Sequence, residues 1–120
     1  MAKKIYILED DEGIKDIIER ILTLELYEVQ SFSSVTDFWL ADHHQVDLYL
    51  LDVMLPDGNG LNICRELKAI QGRSAPVLMM SAHADLSNVR QDYDAEDFIT
   101  KPFGISVLLE KVHSRLYSGN

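Results

Sequence analysis

The residues able to do chemistry sit where apolar runs stop. Lys4 to Leu8 ends at Glu9-Asp10-Asp11-Glu12, Asp47 to Leu51 ends at Asp52, Pro76 to Met80 runs into Ser81, and Asp97 to Thr100 precedes Lys101-Pro102. If these runs are strands ending on one edge, at least three carboxylates meet a hydroxyl and an ammonium there. Converging carboxylates repel one another and need a cation to stay ionised together. An all-oxygen ligand set favours a hard cation, Mg²⁺ first, with some waters retained. The metal, Lys101 and Ser81 could each take one oxygen of a phosphoryl group, with Asp52 at the centre as nucleophile. Carboxylates do form acyl phosphates, and such transfers depend mostly on positioning and charge neutralisation.

These residues meet only if the fold brings the strand ends together. Ile14, Ile17, Ile18, Ile21 and Leu22 fall at helical spacing, opposite Lys15, Asp16, Glu19 and Arg20. Tyr27 to Gln30 alternates with period two and suits an edge strand. Ser33 or Ser34 can cap a short helix running to Ala41. Pro56-Asp57-Gly58-Asn59-Gly60 has loop chemistry. Leu61, Cys64, Leu67 and Ile70 place a helix over 61–70, and Asp85 to Asp94 is weakly helical. Ile105, Leu108, Leu109, Val112 and Leu116 predict a closing helix. Strand and helix thus alternate, and fully apolar strands between helices imply a parallel sheet covered on both faces. Right-handed crossovers make it a doubly wound α/β sandwich, with sites beyond the carboxyl ends of the strands.

Composition narrows the function classes. The chain has 120 residues, 11 Lys+Arg against 20 Asp+Glu, and a net charge of −9. That suits one domain spanning 1–120. A net anion is poorly matched to nucleic acid or to anionic membranes. The N-terminal apolar run is too short for a signal peptide, and no run approaches a membrane span. A single cysteine, Cys64, excludes an internal disulfide framework and is expected to be a buried thiol. A cytoplasmic location is the expectation. His43, His44 and His113 are expected on the surface, and Trp39 partly in the core.

Four motifs, taken together, resemble the receiver domain of bacterial two-component response regulators. They are Ile7-Leu8-Glu9-Asp10-Asp11-Glu12, Leu51-Asp52-Val53-Met54-Leu55-Pro56-Asp57-Gly58-Asn59-Gly60, Met80-Ser81-Ala82 and Asp97-Phe98-Ile99-Thr100-Lys101-Pro102-Phe103. The resemblance covers essentially the whole chain. It implies a flavodoxin-like three-layer sandwich whose five parallel strands are ordered 2-1-3-4-5. It implies that Asp52 accepts a phosphoryl group from the phosphohistidine of a sensor histidine kinase or phosphotransfer protein. Asp10 and Asp11 would hold Mg²⁺ with Asp52 and the backbone carbonyl of Met54, and Lys101 would pair with the phosphoryl group. Ser81 and Phe98 would be the switch hydroxyl and aromatic that repack the face made by the fourth helix, the fifth strand and the closing helix. Lys101-Pro102 resembles the family's cis peptide. Self-phosphorylation and autodephosphorylation would be the only chemistry, in a signalling switch rather than a turnover enzyme. A homodimer on phosphorylation fits the same resemblance. Met54 and His83 would flank the path of the hydrolytic water.

The chain departs from the family pattern in three places. Ser81 to Lys101 is slightly short, Asp94-Ala95 replaces a glycine-alanine pair, and Leu26 replaces the glycine that usually stops the first helix. Competing functions fit less well. A phosphatase of the haloacid dehalogenase type needs an acid two residues after the nucleophile, where Met54 stands and cannot transfer a proton. A flavin or nucleotide binder places a phosphate-cradling loop where this chain has carboxylates. A receiver that binds partners without phosphorylation would not need the complete acceptor set. The chain stops at Ser118-Gly119-Asn120, which leaves a single-domain regulator or the receiver part of a larger one.

Overall fold

Five strands carry the structure: β1 (Lys4–Leu8), β2 (Glu28–Phe32), β3 (Leu48–Asp52), β6 (Val77–Ser81) and β7 (Asp97–Thr100). They pair in parallel in the order β2-β1-β3-β6-β7, which is the expected 2-1-3-4-5 once a short ribbon is counted. That ribbon, β4 (Met54–Leu55) with β5 (Gly58–Asn59), is antiparallel, and its second strand lies inside the 56–60 stretch that the sequence suggested was plain loop. Helices α1 (Glu12–Leu24), α2 (Val35–Leu40), α3 (Gly60–Ala69) and α4 (Ile105–Leu116) cover the sheet. This computed structural model describes residues 2–70, 75–82 and 95–117; the expected helix over 85–94 and His83 lie outside them. Among the described residues no helix is long and apolar enough to cross a membrane.

Side-chain alternation along the strands builds two cores. Tyr6, Leu8, Tyr49, Leu51, Val77 and Met79 pack against α2 and α3 through Phe38, Leu61, Cys64 and Leu67. Ile5, Ile7, Leu48, Leu50, Leu78, Met80 and Ile99 face the other way, against Ile18 and Leu22 of α1 and Leu108 and Val112 of α4. Every residue of β3 and β6 is buried, as central strands of a parallel sheet require. β2 alternates and lies at an edge.

Local chemistry sets the helix ends. Ser34, not Ser33, caps α2, its side chain accepting from Asp37 N. Asn59 caps α3 by accepting from Leu61 N at 2.7 Å. α1 ends in a Schellman arrangement, with Tyr27 N donating to Leu22 O and Leu26 N to Thr23 O. Leu26 therefore takes φ of 69°, the left-handed conformation its missing glycine would have favoured.

Several sequence expectations change. Ile70 is not on the buried stripe of α3 but is its exposed C-terminal cap. Ile105 and Ile17 are also exposed and take no part in the core under α1 and α4. His43 is not a plain surface residue. Its ring lies among Tyr6, Phe38, Trp39 and Tyr49, with Nδ1 2.9 Å from the Tyr49 hydroxyl and Nε2 2.8 Å from Phe38 O. His44 and His113 are exposed, Trp39 is half-buried and Cys64 is fully buried, as expected.

Candidate functional site

The site grows from strand parity. Ile5 and Ile7 of β1, Leu48 and Leu50 of β3, and Ile99 of β7 all face α1 and α4. Carried two residues on, the same alternation brings Glu9, Asp52 and Lys101 to that face at the carboxyl ends of the strands, Asp52 as the last residue of β3 and the other two one residue beyond β1 and β7. Backbone pairing continues far enough to hold them there: Glu9 N donates to Phe32 O at 3.0 Å and Lys101 N to Ser81 O at 2.7 Å. The Lys101-Pro102 peptide is cis, as expected.

The result is a tight constellation. Lys101 Nζ lies 2.5 Å from Glu9 Oε1 and 3.3 Å from Asp52 Oδ2. Glu9 is 1% exposed, and Asp52 and Ser81 are buried too. Carboxylate oxygens of Glu9, Asp10 and Asp52 approach one another within 4.8 Å, with Asp10 open to solvent. Burial is the main influence raising the Glu9 carboxyl above its ordinary range, and the charge of Asp52 adds to it. Lys101 and the Asp11 amide oppose the rise without cancelling it. Burial pulls the Lys101 ammonium down, but its bond to Glu9 and the negative charge of Asp52 outweigh that and raise it. Two acids sharing one ammonium leave net negative charge, so the site is prepared for a further cation. Oxygen-only donors suit a hard one such as Mg²⁺.

The acid pair read from the sequence shifts by one residue. Asp10 and Asp52 come together as expected, but Asp11 does not join them. Its Oδ1 accepts from Ile14 N at 3.0 Å and caps α1, while its carbonyl accepts from Lys15 N. Glu9 takes the inward place, and its Oε2 accepts from Asp11 N at 3.1 Å. The missed signal was parity: Glu9 is the next inward position after Ile7, whereas by Asp11 the chain has already turned into the helix.

The remaining expected residues sit around this centre. Ser81 ends β6, in register with Thr100, one residue beyond the Met80 that pairs with Asp52. Phe98 is half-buried and packs on the core under α2 and α3. Ser81 and Phe98 therefore share the sheet face opposite to that of Glu9, Asp52 and Lys101. Met54 is 63% exposed and opens the β4–β5 ribbon two residues after Asp52. An apolar groove lined by Ile14, Ile17, Ile18, Pro102 and Phe103 opens beside Lys101.

Known proteins resemble this chain in sequence and in fold. The family described as response regulator receiver domain matches residues 5–113. The chain is 36% identical over 116 residues to response regulator ArlR of Staphylococcus aureus, covering 94% of this chain and 52% of that protein. It spans about half the length of the curated relatives it matches. The BeF3-activated receiver domain of DrrB superposes with a TM-score of 0.85 at 32% identity, covering 97% of this chain and 98% of that one; DrrB is a Thermotoga maritima response regulator. A CheY-like receiver domain protein from Methanospirillum hungatei gives 0.87 at 29%, covering 98% and 96%.

Proposed function

Because the chain belongs to the response regulator receiver family, a class of phosphorylation-dependent switches, we propose that Asp52 is its phosphoacceptor and that Glu9 and Asp10 serve it by holding Mg²⁺. The observation that carries this reading is the Glu9–Lys101–Asp52 constellation at the carboxyl ends of three parallel strands. Receivers interact with histidine kinases or phosphotransfer proteins, and here the phosphoryl donor is the phosphohistidine of such a partner. An Asp52 carboxylate oxygen attacks phosphorus, the phosphorus–nitrogen bond breaks, and neutral imidazole leaves after taking up a proton. The product is an aspartyl phosphate.

Each neighbour has a role. Glu9, Asp10, Asp52 and the Met54 carbonyl supply the oxygen ligands, a set that departs from the Asp10–Asp11 pair. Bound there, Mg²⁺ offsets charge on the phosphoryl oxygens and on the carboxylates. Lys101 is already within 3.3 Å of Asp52 and can follow the incoming group, releasing Glu9. Ser81, one residue beyond the Met80 that pairs with Asp52, turns its hydroxyl over the end of β6 to donate to a phosphoryl oxygen. Its movement frees space for Phe98 to turn inward, repacking the face of β7 and α4. That face is the output surface and the seat of a homodimer on phosphorylation. The apolar groove beside Lys101, with Ile17 59% exposed, offers the donor protein a dry footing next to the acceptor. Met54 flanks the approach of hydrolytic water, and His83, two residues after Ser81, is its counterpart. The whole chain, 1–120, acts as one cytoplasmic receiver and does not itself bind nucleic acid or membrane.

Incubation with Mg²⁺ and acetyl phosphate, followed by intact mass, tests the acceptor. The wild type is expected to gain one phosphoryl group and Asp52→Asn none; undiminished labelling of Asp52→Asn would overturn the assignment.

A further inference from the structure

We propose that Asp57 is a positioning residue for the Met54 carbonyl, tying the metal site to the N-terminus of α2. This rests on the reading that Met54 contributes its carbonyl to the Mg²⁺ site. A main-chain ligand has no rotamer of its own, so its place is set by whatever holds the surrounding loop. Here the loop is pinned at both ends. At the near end Gly60 N donates to Val53 O at 2.8 Å, and Met54 pairs with Asn59 in the ribbon. At the far end the Pro56–Asp57 turn is fastened to a different element.

That fastening is specific. Val35 N donates to Asp57 Oδ1 at 2.8 Å, and Thr36 N and Thr36 Oγ1 donate to Oδ2 at 3.1 and 3.0 Å. Both carboxylate oxygens are thus engaged by the first turn of α2. The Val35 amide is the largest influence holding the Asp57 carboxyl below its usual range. A second contact reinforces the first: a Cβ on Gly58 would lie 2.8 Å from Val35 Cγ2, so turn and helix touch with no room for a side chain. α2 does not need Asp57 for its own cap, because Ser34 already accepts from Asp37 N at 3.1 Å. The carboxylate therefore serves the ribbon as well as the helix. Release of the turn would let β4 swing on Val53 and carry the Met54 carbonyl out of line.

Coupling of this kind is reciprocal, so a metal that grips Met54 should steady the Asp57–α2 contact in return. The test is a Mg²⁺ titration of the wild type, Asp57→Ala, Asp57→Asn and Ser34→Ala, followed by amide NMR, with hydrogen exchange at Val35 and Thr36. Asp57→Ala should weaken Mg²⁺ binding about tenfold, the lower end of losses for groups that orient metal ligands. Asp57→Asn keeps one acceptor for Val35 N and should lose less; it also keeps the test open if the alanine variant folds poorly. Ser34→Ala loosens α2 from its own side and should lower stability while leaving Mg²⁺ affinity within about twofold of the wild type, since the ribbon stays tied. Mg²⁺ should slow exchange at Val35 and Thr36 in the wild type and not in Asp57→Ala. Equal Mg²⁺ affinity in the wild type and Asp57→Ala, or equal losses in Asp57→Ala and Ser34→Ala, would overturn the positioning role. A wild type that binds no Mg²⁺ would instead bring down the metal site itself, and this inference with it.

Discussion

The α-carbon of Gly60 lies against the backbone carbonyl of Asp52, so closely that a Cβ built on residue 60 would stand 1.9 Å from that oxygen. The first residue of α3 thus bears on the main chain of the candidate phosphoacceptor. No side chain can yield there, because the obstructing atom is backbone. Gly60→Ala should force the end of β3 and the start of α3 apart. Overpacking of a tight core typically costs about 1–3 kcal/mol, and this contact belongs at the upper end. Urea unfolding should show that loss, and labelling by acetyl phosphate should fall even in the folded fraction.

Substitutions among the first acids should separate metal ligands from helix caps. Glu9→Gln and Asp10→Asn should each weaken Mg²⁺ binding strongly. Asp11→Ala should leave it nearly intact and lower stability by about 1 kcal/mol, the usual cost of an N-cap. Calorimetric Mg²⁺ titration beside thermal melts checks both halves. An Asp11→Ala variant that loses metal affinity while keeping its melting temperature would restore the pair first read from the sequence.

Leu26 holds φ of 69° and is 82% exposed, so its side chain contributes little packing to offset the strain. Leu26→Gly should stabilise the fold by about 1 kcal/mol, the order of the penalty for an L-residue in the left-handed region. For a chain of this size that is roughly 3–5 °C in Tm. A melting temperature that stays level or falls would show that the Schellman turn relaxes around leucine at no cost.

Acid stability should depend on Asp97. Burial pushes its carboxyl up, but the Phe98 amide, then Lys111 and Arg115, outweigh burial and hold it below the usual range. Lys111 Nζ lies 3.2 Å from one of its oxygens and Arg115 Nη2 3.4 Å from the other. A depressed folded value means the stabilisation is fully present above the ordinary aspartate value of about 4 and is lost as pH falls through the lowered one. Asp97→Asn should therefore reduce stability at neutral pH and make the decline between about pH 4 and 2 shallower, as read from urea midpoints against pH.

The chain's order and spacing were enough to determine a doubly wound parallel sheet and the residues at its carboxyl edge, while the strand order followed from the family resemblance. Asp52 and Ser81 each follow a run of apolar residues, and short runs that are apolar on both faces, set between amphipathic helices, fit covered parallel strands; Lys101 follows the shorter Asp97–Thr100 strand, which is only partly buried. The helices were legible from their periodicity, although their terminal residues were not. Ile70 and Ile105 satisfy the spacing, yet they stand at the end of α3 and the start of α4 and are exposed. Four consecutive acids, Glu9 to Glu12, are chemically alike, and strand parity favours Glu9 only once it is known how far β1 runs before the chain turns. Which one faces Lys101 was decided by the last strand register of β1 and by the point at which the chain turns into α1. Asp57 reaches across to α2, and His43 into the aromatic core, through contacts between residues far apart or differently wound, which no local pattern encodes. Composition and periodicity report what a segment buries. Which polar group meets which is settled only when separate elements close on one another.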